Sequence, residues 1–221
     1  MFTPDQIIAL TTHHQAFPDS ISWRLTPLGL ETPQGIETWG GEPKTCRRFW
    51  TAYGDQVRTW SAAFGVPAEL IVACALTETN GNPQSVREEP GYASDEVTPM
   101  KVSAGLMQLL IGTAGELMAG QGIHVDRAWL LDPGNSLRAG TMFIASQRPK
   151  TNLDPPKVAC AYNAGGVYHQ GGEKNRWKMR QFPIGTGEHA DRYVKWFNET
   201  MLMFRTDGGA PEGSFTALLG A

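Results

Sequence analysis

The chain has 221 residues, a formal net charge of −3 at pH 7 and 41% hydrophobic residues. This length and apolar content suit one globular domain with a substantial core, and they exclude a wholly disordered chain. General nucleic-acid binders are usually basic, so this slightly acidic composition predicts no nucleic-acid partner.

The first 43 residues are expected to form an extension that packs on the main domain. Residues 4–16 are predicted to form a short helix, with Thr3 as N-cap and Pro4 at the first helical position. Residues 17–43 are rich in Gly, Pro and Thr, which favours an irregular or weakly β segment. Because a separate core there would be too small to be stable, we expect this segment to wrap around the domain.

Two helices are predicted after the extension. Apolar residues recur every three or four positions from residue 46 onward, which indicates one long helix with Thr45 as a candidate N-cap and Gly65 as its end. The next helix is predicted to begin at Pro67 and to end with Gly81 as its C-cap. The aromatic residues of the first helix share one face, which favours core packing over a sugar-binding platform.

The rest of the chain is predicted to be mostly helical. Residues 84–103 are expected to form a long polar loop, and helices are predicted at 112–120, 134–147, 155–163 and 188–205. The fold class is therefore mainly α, with a small β or irregular element inside a loop. We expect a main domain over residues 44–205 and a flexible tail over residues 206–221.

Cysteine and histidine usage argues against a metal or other cofactor. Cys46, Cys74 and Cys160 are too few and too scattered for a disulfide framework, and we expect free buried thiols. The five histidines form no cluster with zinc-ligand spacing, and we assign them no chemistry. No apolar run approaches the roughly 20 residues of a membrane span, so we expect no stable membrane insertion.

Glu78 is the strongest candidate catalytic residue. It continues the apolar stripe of Ile71 and Cys74, so its carboxylate is expected to point towards the core or a cleft. It also lies in the last helical turn, near the negative end of the helix dipole. Burial and the dipole both raise the pKa of a carboxyl, as a general acid near neutral pH requires. The alternative is a glutamate that reaches solvent at a frayed helix end.

Four sequence blocks resemble those of the soluble lytic transglycosylases, in the goose-type-lysozyme superfamily. Residues 75–83 resemble the Glu-Ser-x-x-x-Pro signature, with Thr79 in place of the serine. Residues 103–109 look like the Gly-Leu-Met-Gln block, 159–165 like the Ala-Tyr-Asn-x-Gly block, and 188–194 like the closing Tyr-Val helix. The blocks occur in the family's order, so the resemblance implies a lysozyme-like domain.

The resemblance also implies a reaction. The substrate would be a peptidoglycan glycan strand, cleaved at the β-1,4 bond between N-acetylmuramic acid and N-acetylglucosamine. Glu78 would protonate the leaving oxygen, and the muramic acid's own C6 hydroxyl would attack C1 to give a 1,6-anhydro ring. Ordinary glycosidases pair two carboxylates, but here the nucleophile belongs to the substrate. We expect the protein to act as a monomer.

Residues that match the family's blocks are expected to bind the substrate. Gln108 is expected to hydrogen-bond sugar groups, Tyr162 to orient the acid through its hydroxyl, and Asn163 to hold its loop or touch an acetamido group. Met107 or Leu110 is expected to form the floor of a subsite. The remaining candidates are Thr79 and Ser103. Two structural alternatives stay open, namely a Gln108 bonded to a loop carbonyl and a Tyr162 half-buried in the core.

The loop between the first two blocks is longer than the family's usual loop. Ser94 and Ser103 compete for the serine that the family places there. The loop carboxylates of Glu89, Asp95 and Glu96 include a candidate second acid that positions a water, as in goose-type muramidases. A solvated charged loop is the alternative. A hydrolytic muramidase therefore stays an alternative function, as do a non-catalytic wall-binding or phage tail module and, more distantly, a chitinase.

The expected place of action is the bacterial cell wall or periplasm. The first residues show neither the basic region nor the apolar region of a secretory signal peptide. A phage or prophage origin would reconcile these two points. The protein would then be an endolysin released through a pore or a lysin carried on a virion.

Overall fold

The computed structural model describes residues 2–220 and is mainly α, as predicted. The helices are α1 (Pro4–Thr11), α2 (Lys44–Phe64), α3 (Ala68–Thr79), α4 (Ile111–Met118), α5 (Arg127–Leu131), α6 (Pro133–Ser146), α7 (Arg148–Thr151), α8 (Pro155–Ala164), α9 (Glu188–Asp207) and α10 (Phe215–Leu218). The strands are β1 (Arg24–Thr26), β2 (Gly29–Glu31), β3 (Val86–Glu88), β4 (Val102–Ala104) and β5 (Leu109–Leu110).

The N-terminal extension folds into a helix and a small hairpin. Thr3 caps α1 through a capping box with Gln6, as its position before Pro4 predicts. The helix ends at Thr11 rather than at residue 16, because the backbone of His14 pairs with Trp23 in an antiparallel bridge. Strands β1 and β2 then pair antiparallel, and this confirms the weakly β segment expected there.

A buried aspartate anchors the extension to the main body. Asp154 precedes α8 and is 1% exposed. One carboxylate oxygen accepts the indole N–H of Trp23 at 2.9 Å, and the other lies 2.8 Å from Nε2 of His14 and 3.1 Å from Nζ of Lys157. Trp23 is fully buried and packs edge-to-face on Trp177 at 5.4 Å. These contacts fix the extension against α8, since a buried carboxylate is stable only with such partners.

The helix ends around α2 and α3 differ in detail from the predicted ones. Helix α2 is preceded by Pro43 and not by Thr45, which lies inside its first turn. It ends at Gly65 in the left-handed conformation, as predicted. The left-handed cap of α3 is Asn80 (φ 52°) rather than Gly81, because asparagine tolerates this region better than most residues.

Helix α3 lies at the centre of the core. All of its residues from Ala68 to Thr77 are buried, and it packs against α2 and α9. A helix that is buried and almost wholly apolar on every side is typical of a core position. Only its last turn, which carries Glu78, reaches the molecular surface.

The polar loop after α3 contains the small β element expected there. Strands β3, β4 and β5 form an antiparallel sheet in that order, with Arg87 opposite Ser103 and Ser103 opposite Leu110. The turn between β4 and β5 packs beneath the end of α3. The hydroxyl of Thr79 joins the two, since it donates to the carbonyl of Leu106 at 2.9 Å.

The C-terminal segment is packed, which differs from the flexible tail predicted after Arg205. Ser214 caps the short helix α10, and Phe215 is fully buried. The backbone N–H groups of Phe215 and Thr216 donate to the carboxylate of Glu69 at 3.1 and 2.9 Å. Glu69 is itself fully buried at the start of α3. The long-range partner that orders the segment cannot be seen in the local composition.

Cys46, Cys74 and Cys160 are free and buried, as predicted. Among residues 2–220, no group of three His, Cys, Asp or Glu side chains could hold a metal ion. None of the helices described for these residues combines the length and apolar character needed to cross a bilayer.

Candidate active site

Glu78 lies where two depressions of the surface meet. Its side chain is 18% exposed, and it lines both. The inner cleft, about 340 Å³, is walled by the β-sheet loop and the end of α8, including Ser103, Gln108, Leu110, Tyr162 and Asn163. The outer groove, about 660 Å³, lies between the end of α3, helix α9 and the extension, including Trp39, Asn80, Arg192 and Trp196. Glu78 is thus reachable from two sides.

Burial controls the protonation of Glu78. Desolvation raises the pKa of its carboxyl to about 7, and the positive charges of Arg192 and Arg87 act in the opposite direction. Near neutral pH the carboxyl is therefore present in both forms. This is the protonation behaviour of a group that can donate a proton and take one back.

His189 contacts Glu78 and was assigned no chemistry from the sequence. Its Nε2 lies 3.6 Å from Oε1 of Glu78, and its ring is 3% exposed. Burial, with a contribution from Arg192, lowers the pKa of His189 to about 3. The contact is therefore between a carboxyl and a neutral imidazole and not an ion pair. His189 precedes the buried Tyr193 by four residues, and this helical spacing was the signal that could have placed it on the inner face of α9.

Gln108 is held by the protein itself. Its Nε2 donates to the carbonyls of Ser85 at 2.9 Å and Gly105 at 3.0 Å, and its Oε1 accepts the hydroxyl of Ser103 at 3.1 Å. The structural alternative for Gln108, a bond to a loop carbonyl, is therefore present. Gln108 and Ser103 line the inner cleft as a cross-linked wall that ties the β4–β5 turn to the start of β3.

Tyr162 lies at the cleft wall close to the core, as its structural alternative predicts, whereas Met107 lies outside the cleft. The Tyr162 hydroxyl donates to the carbonyl of Met107 at 2.7 Å, and its ring is almost buried at the cleft wall. No hydrogen bond joins it to Glu78. The Met107 side chain is fully buried and packs on the backbone of Gly140 in α6. Met107 as the floor of a subsite is therefore wrong, because the tight turn points it into the core; Leu110 lines the cleft instead.

Asn163 and Thr79 hold neighbouring segments in place. Oδ1 of Asn163 accepts the N–H of Phe182 at 2.6 Å, which ties the end of α8 to the loop before α9, and Asn163 also lines the inner cleft. Thr79 lines the outer groove and not the inner cleft. Its hydroxyl donates to the carbonyls of Leu106 and Ala75.

Only one of the three candidate second acids lines the inner cleft. Glu89 lies in its wall, and its Oε1 is 2.8 Å from Nε of Arg87. Asp95 is bound by Arg127 at 2.7 Å, and this ion pair lowers the pKa of its carboxyl. Glu96 is exposed and lines neither the inner cleft nor the outer groove.

Sequence comparison finds related proteins over the central part of the chain. A family model described as the transglycosylase SLT domain matches residues 55–181. A membrane-bound lytic murein transglycosylase C from Haemophilus ducreyi is 29% identical over 119 residues, which cover 49% of this chain and 29% of that protein. A protein of the same name from Yersinia pestis is 34% identical over 92 residues, covering 40% of this chain and 22% of that protein. The chain spans less than a third of the length of these relatives.

Structural comparison finds the same fold. An inactive mutant of the lytic transglycosylase Slt from Pseudomonas aeruginosa matches with a TM-score of 0.53 and 18% identity, covering 74% of this chain and 26% of that one. The 70 kDa soluble lytic transglycosylase from Escherichia coli matches with a TM-score of 0.51 and 18% identity, covering 73% and 25%. This likeness confirms the fold class predicted from the sequence.

Proposed function

The chain belongs to the transglycosylase SLT domain family, and we propose that it cleaves peptidoglycan glycan strands as a lytic transglycosylase. One observation supports this proposal above the others. Glu78 is a mostly buried carboxyl with a pKa of about 7, and it lines two open depressions of the surface. The names of the relatives, lytic murein transglycosylases, agree with this reaction class.

The first step is proton donation by Glu78. Its protonated carboxyl donates to the oxygen that links C1 of N-acetylmuramic acid to N-acetylglucosamine, and the bond from C1 to that oxygen breaks. Burial keeps enough of the acid form near neutral pH for this donation. General acid catalysis of this kind contributes about 10²- to 10⁴-fold to the rate.

The second step returns the proton to Glu78. The C6 hydroxyl of the same muramic acid attacks C1, the C6 oxygen–C1 bond forms, and the hydroxyl proton passes to the Glu78 carboxylate. No water is consumed and the acid form is regenerated. Because the attacking group is part of the substrate, the step gains the high effective molarity of an intramolecular reaction.

The inner cleft supplies a rigid surface for one side of the strand. We propose that Gln108, Ser103, Asn163 and Leu110 contact the sugar there, while Tyr162 supports the wall through its bond to Met107. Their internal hydrogen bonds fix the wall before the substrate arrives, which lowers the entropic cost of binding.

We further propose that the protein acts at the bacterial cell wall, where its substrate lies. Release as a phage endolysin or carriage on a virion stays a prediction from the sequence, and so does the monomeric state.

Hydrolysis by a muramidase is the second candidate. It is favoured by one observation, the presence of Glu89 in the same cleft as Glu78. In inverting glycosidases a second carboxylate activates a water on the opposite face of the sugar. The Glu89 carboxylate pairs with Arg87 at the cleft wall. It remains partly exposed and is therefore accessible to water.

The products of digested sacculi decide between the two reactions. A transglycosylase releases muropeptides that end in 1,6-anhydro-muramic acid, which are one water lighter than the reducing-end products of a muramidase. We expect the anhydro form to dominate in mass spectra. Glu89→Gln is expected to leave both the product and most of the rate unchanged, with Glu96→Gln as the matched control on the same loop. Mainly reducing ends, together with a loss of about 10²-fold or more in Glu89→Gln alone, would establish the muramidase instead.

A further inference from the structure

The outer groove contains an exposed aromatic side chain that belongs to the extension. Trp39 is 47% exposed, and its ring packs on Trp196 of α9 with 5.4 Å between the ring centroids. Trp39, Trp196 and Arg192 all lie outside residues 55–181, the part that matches the family model. This side of Glu78 is therefore built in part by segments that the family match does not cover.

Buried polar residues of α9 hold Trp39 in place. The backbone N–H of Trp39 donates to Oε1 of Glu199 at 2.8 Å, and Glu199 is 2% exposed. Beside it, the buried Asn198 donates to the carbonyl of Glu37 at 2.8 Å and accepts the N–H of Leu30 at 2.7 Å. The ammonium of Lys195 lies 4.8 Å from the centroid of the Trp39 ring, and the side chain remains about half exposed. An aromatic side chain that is held in place by its backbone and neighbours, with part of its surface open to solvent, has the properties of a preformed binding surface.

The groove also presents two polar side chains that have no ion-pair or hydrogen-bond partner within residues 2–220, although the charge of one of them, Arg192, acts on Glu78. Arg192 is exposed, and no carboxylate of residues 2–220 forms an ion pair with it. The side chain of Asn80 is exposed and has no hydrogen-bond partner within the same residues. Glu78 is the only acid in the lining described for this groove. A cation, an amide and two indole rings therefore face one open space.

We propose that the outer groove binds a muramyl unit of the glycan strand through its carboxylate, on the opposite side of the scissile bond from the inner cleft. This inference rests on the proposed function. The apolar face of the sugar stacks on Trp39, and Arg192 pairs with a carboxylate of the lactyl group or of the stem peptide. A guanidinium suits this task because its planar donors match a carboxylate. The volume of about 660 Å³ lies in the range of small-ligand sites.

Binding to a non-cleaving protein tests the groove directly. The full chain with Glu78→Gln is titrated with three glycan oligomers of equal length. The first carries stem peptides, the second has been stripped by an amidase and keeps only lactyl carboxylates, and the third is a chitin oligomer with neither. Arg192→Ala is expected to weaken binding of a carboxylate-bearing oligomer by roughly 3- to 10-fold, as for an exposed charge-assisted contact. Its affinity for the chitin oligomer should be unchanged.

The pattern across the probes identifies the carboxylate. The lactyl carboxyl of the peptide-bearing oligomer is held in an amide, so an effect on that oligomer alone assigns the carboxylate to the stem peptide. An effect on the stripped oligomer alone assigns it to the free lactyl group, and an effect on both shows that Arg192 pairs with either. Trp39→Ala is expected to weaken all three oligomers by roughly fivefold or more, as is typical when an anchoring aromatic is truncated. Trp39→Phe should recover part of this loss.

Matched variants control for surface effects. Leu28→Ala removes another exposed apolar side chain of the extension, and Arg58→Ala removes an exposed arginine of α2; neither should change any affinity. Melting curves show whether each variant is folded. Unchanged affinities in Arg192→Ala and Trp39→Ala, or an equal loss for chitin in Arg192→Ala, would overturn the proposal. The proposed function fails separately, if the unaltered protein releases no muropeptide from sacculi.

Discussion

The inner cleft and the outer groove share Glu78 but use their polar side chains in opposite ways. In the inner cleft, the hydrogen-bonding groups of Gln108, Ser103 and Tyr162 are bonded to the protein itself. In the outer groove, within residues 2–220, the Arg192 side chain forms no ion pair and the Asn80 side chain forms no hydrogen bond, although the charge of Arg192 acts on Glu78. One side therefore has a cross-linked wall, and the other has polar side chains without such internal bonds.

This difference shows what the recognisable sequence blocks encode. Residues 103–109 and 159–165 form the inner wall, and their conspicuous polar residues shape the turn and hold neighbouring loops. The exposed groups of the outer groove come from the extension, from α9 and from the residue that caps α3. A sequence block can therefore mark the architecture of a site, while exposed polar side chains beside it come from residues that no block identifies.

Glu78→Gln is the change with the largest expected effect, because this carboxyl is the proposed proton donor and lines both the inner cleft and the outer groove. The amide keeps the size of the side chain but cannot donate the proton, so the rate should fall by about 10²- to 10⁴-fold or more. Turbidity clearing of purified sacculi measures the rate, and circular dichroism confirms the fold. Clearing at a near-normal rate by a folded variant would remove Glu78 from the mechanism.

The same variant should also differ from the unaltered protein in the pH dependence of its stability. The pKa of Glu78 is raised from the ordinary 4.5 to about 7 in the folded protein. The folded state therefore binds this proton more tightly, and stability is lost as the pH rises from below 4.5 through 7. Glu78→Gln should melt higher than the unaltered protein at pH 8, with the gap closing near pH 4. Glu96→Gln, an exposed carboxylate, should show no such gap.

Substitution of His189 is expected to have an intermediate effect, visible in the pH profile. The kcat/KM of the unaltered protein should fall as the pH rises above about 7, because the acid form of Glu78 is lost. His189→Leu removes the polar neighbour of this carboxyl at 3.6 Å. The remaining surroundings are more apolar, which raises the pKa of Glu78. The pH at which kcat/KM falls should therefore rise by roughly 0.5–1 pH unit.

His189→Gln provides the matched control for this shift. Glutamine keeps a hydrogen-bonding group near the position of Nε2. The kcat/KM of this variant should therefore fall at nearly the same pH as that of the unaltered protein. If kcat/KM falls at the same pH in the unaltered protein, His189→Leu and His189→Gln, then His189 only fills space between α3 and α9.

Tyr162→Phe should have the smallest effect on the reaction and a clear effect on stability. The lost hydroxyl leaves the buried Met107 carbonyl without its partner, which costs about 1–3 kcal/mol of folding free energy. Because the hydroxyl is bonded to the backbone and not to Glu78, the rate at a temperature where the variant is folded should fall less than tenfold. Thermal melting and sacculus clearing measure the two effects. Loss of activity with an unchanged melting temperature would place Tyr162 in direct contact with the acid.

Local patterns in the sequence determined the main helices and the candidate acid. The three- and four-residue spacing of apolar side chains predicts α2, α3 and α9, and the same spacing places Glu78 on the inward face of the last turn of α3. These features depend on residues within one or two turns of each other. Turn chemistry is equally local, which is why Gly65 was identified as the end of α2.

Tertiary structure alone decided which distant residues meet. The packed C-terminal segment depends on Glu69, the anchored extension on Asp154, and the neighbour of Glu78 on His189, and each pair is separated by many residues in the chain. The same holds for Met107, whose side chain lies in the core because α6 brings Gly140 against it. Burial and hydrogen bonding across such distances follow from how helices pack together, and no spacing along the chain records them.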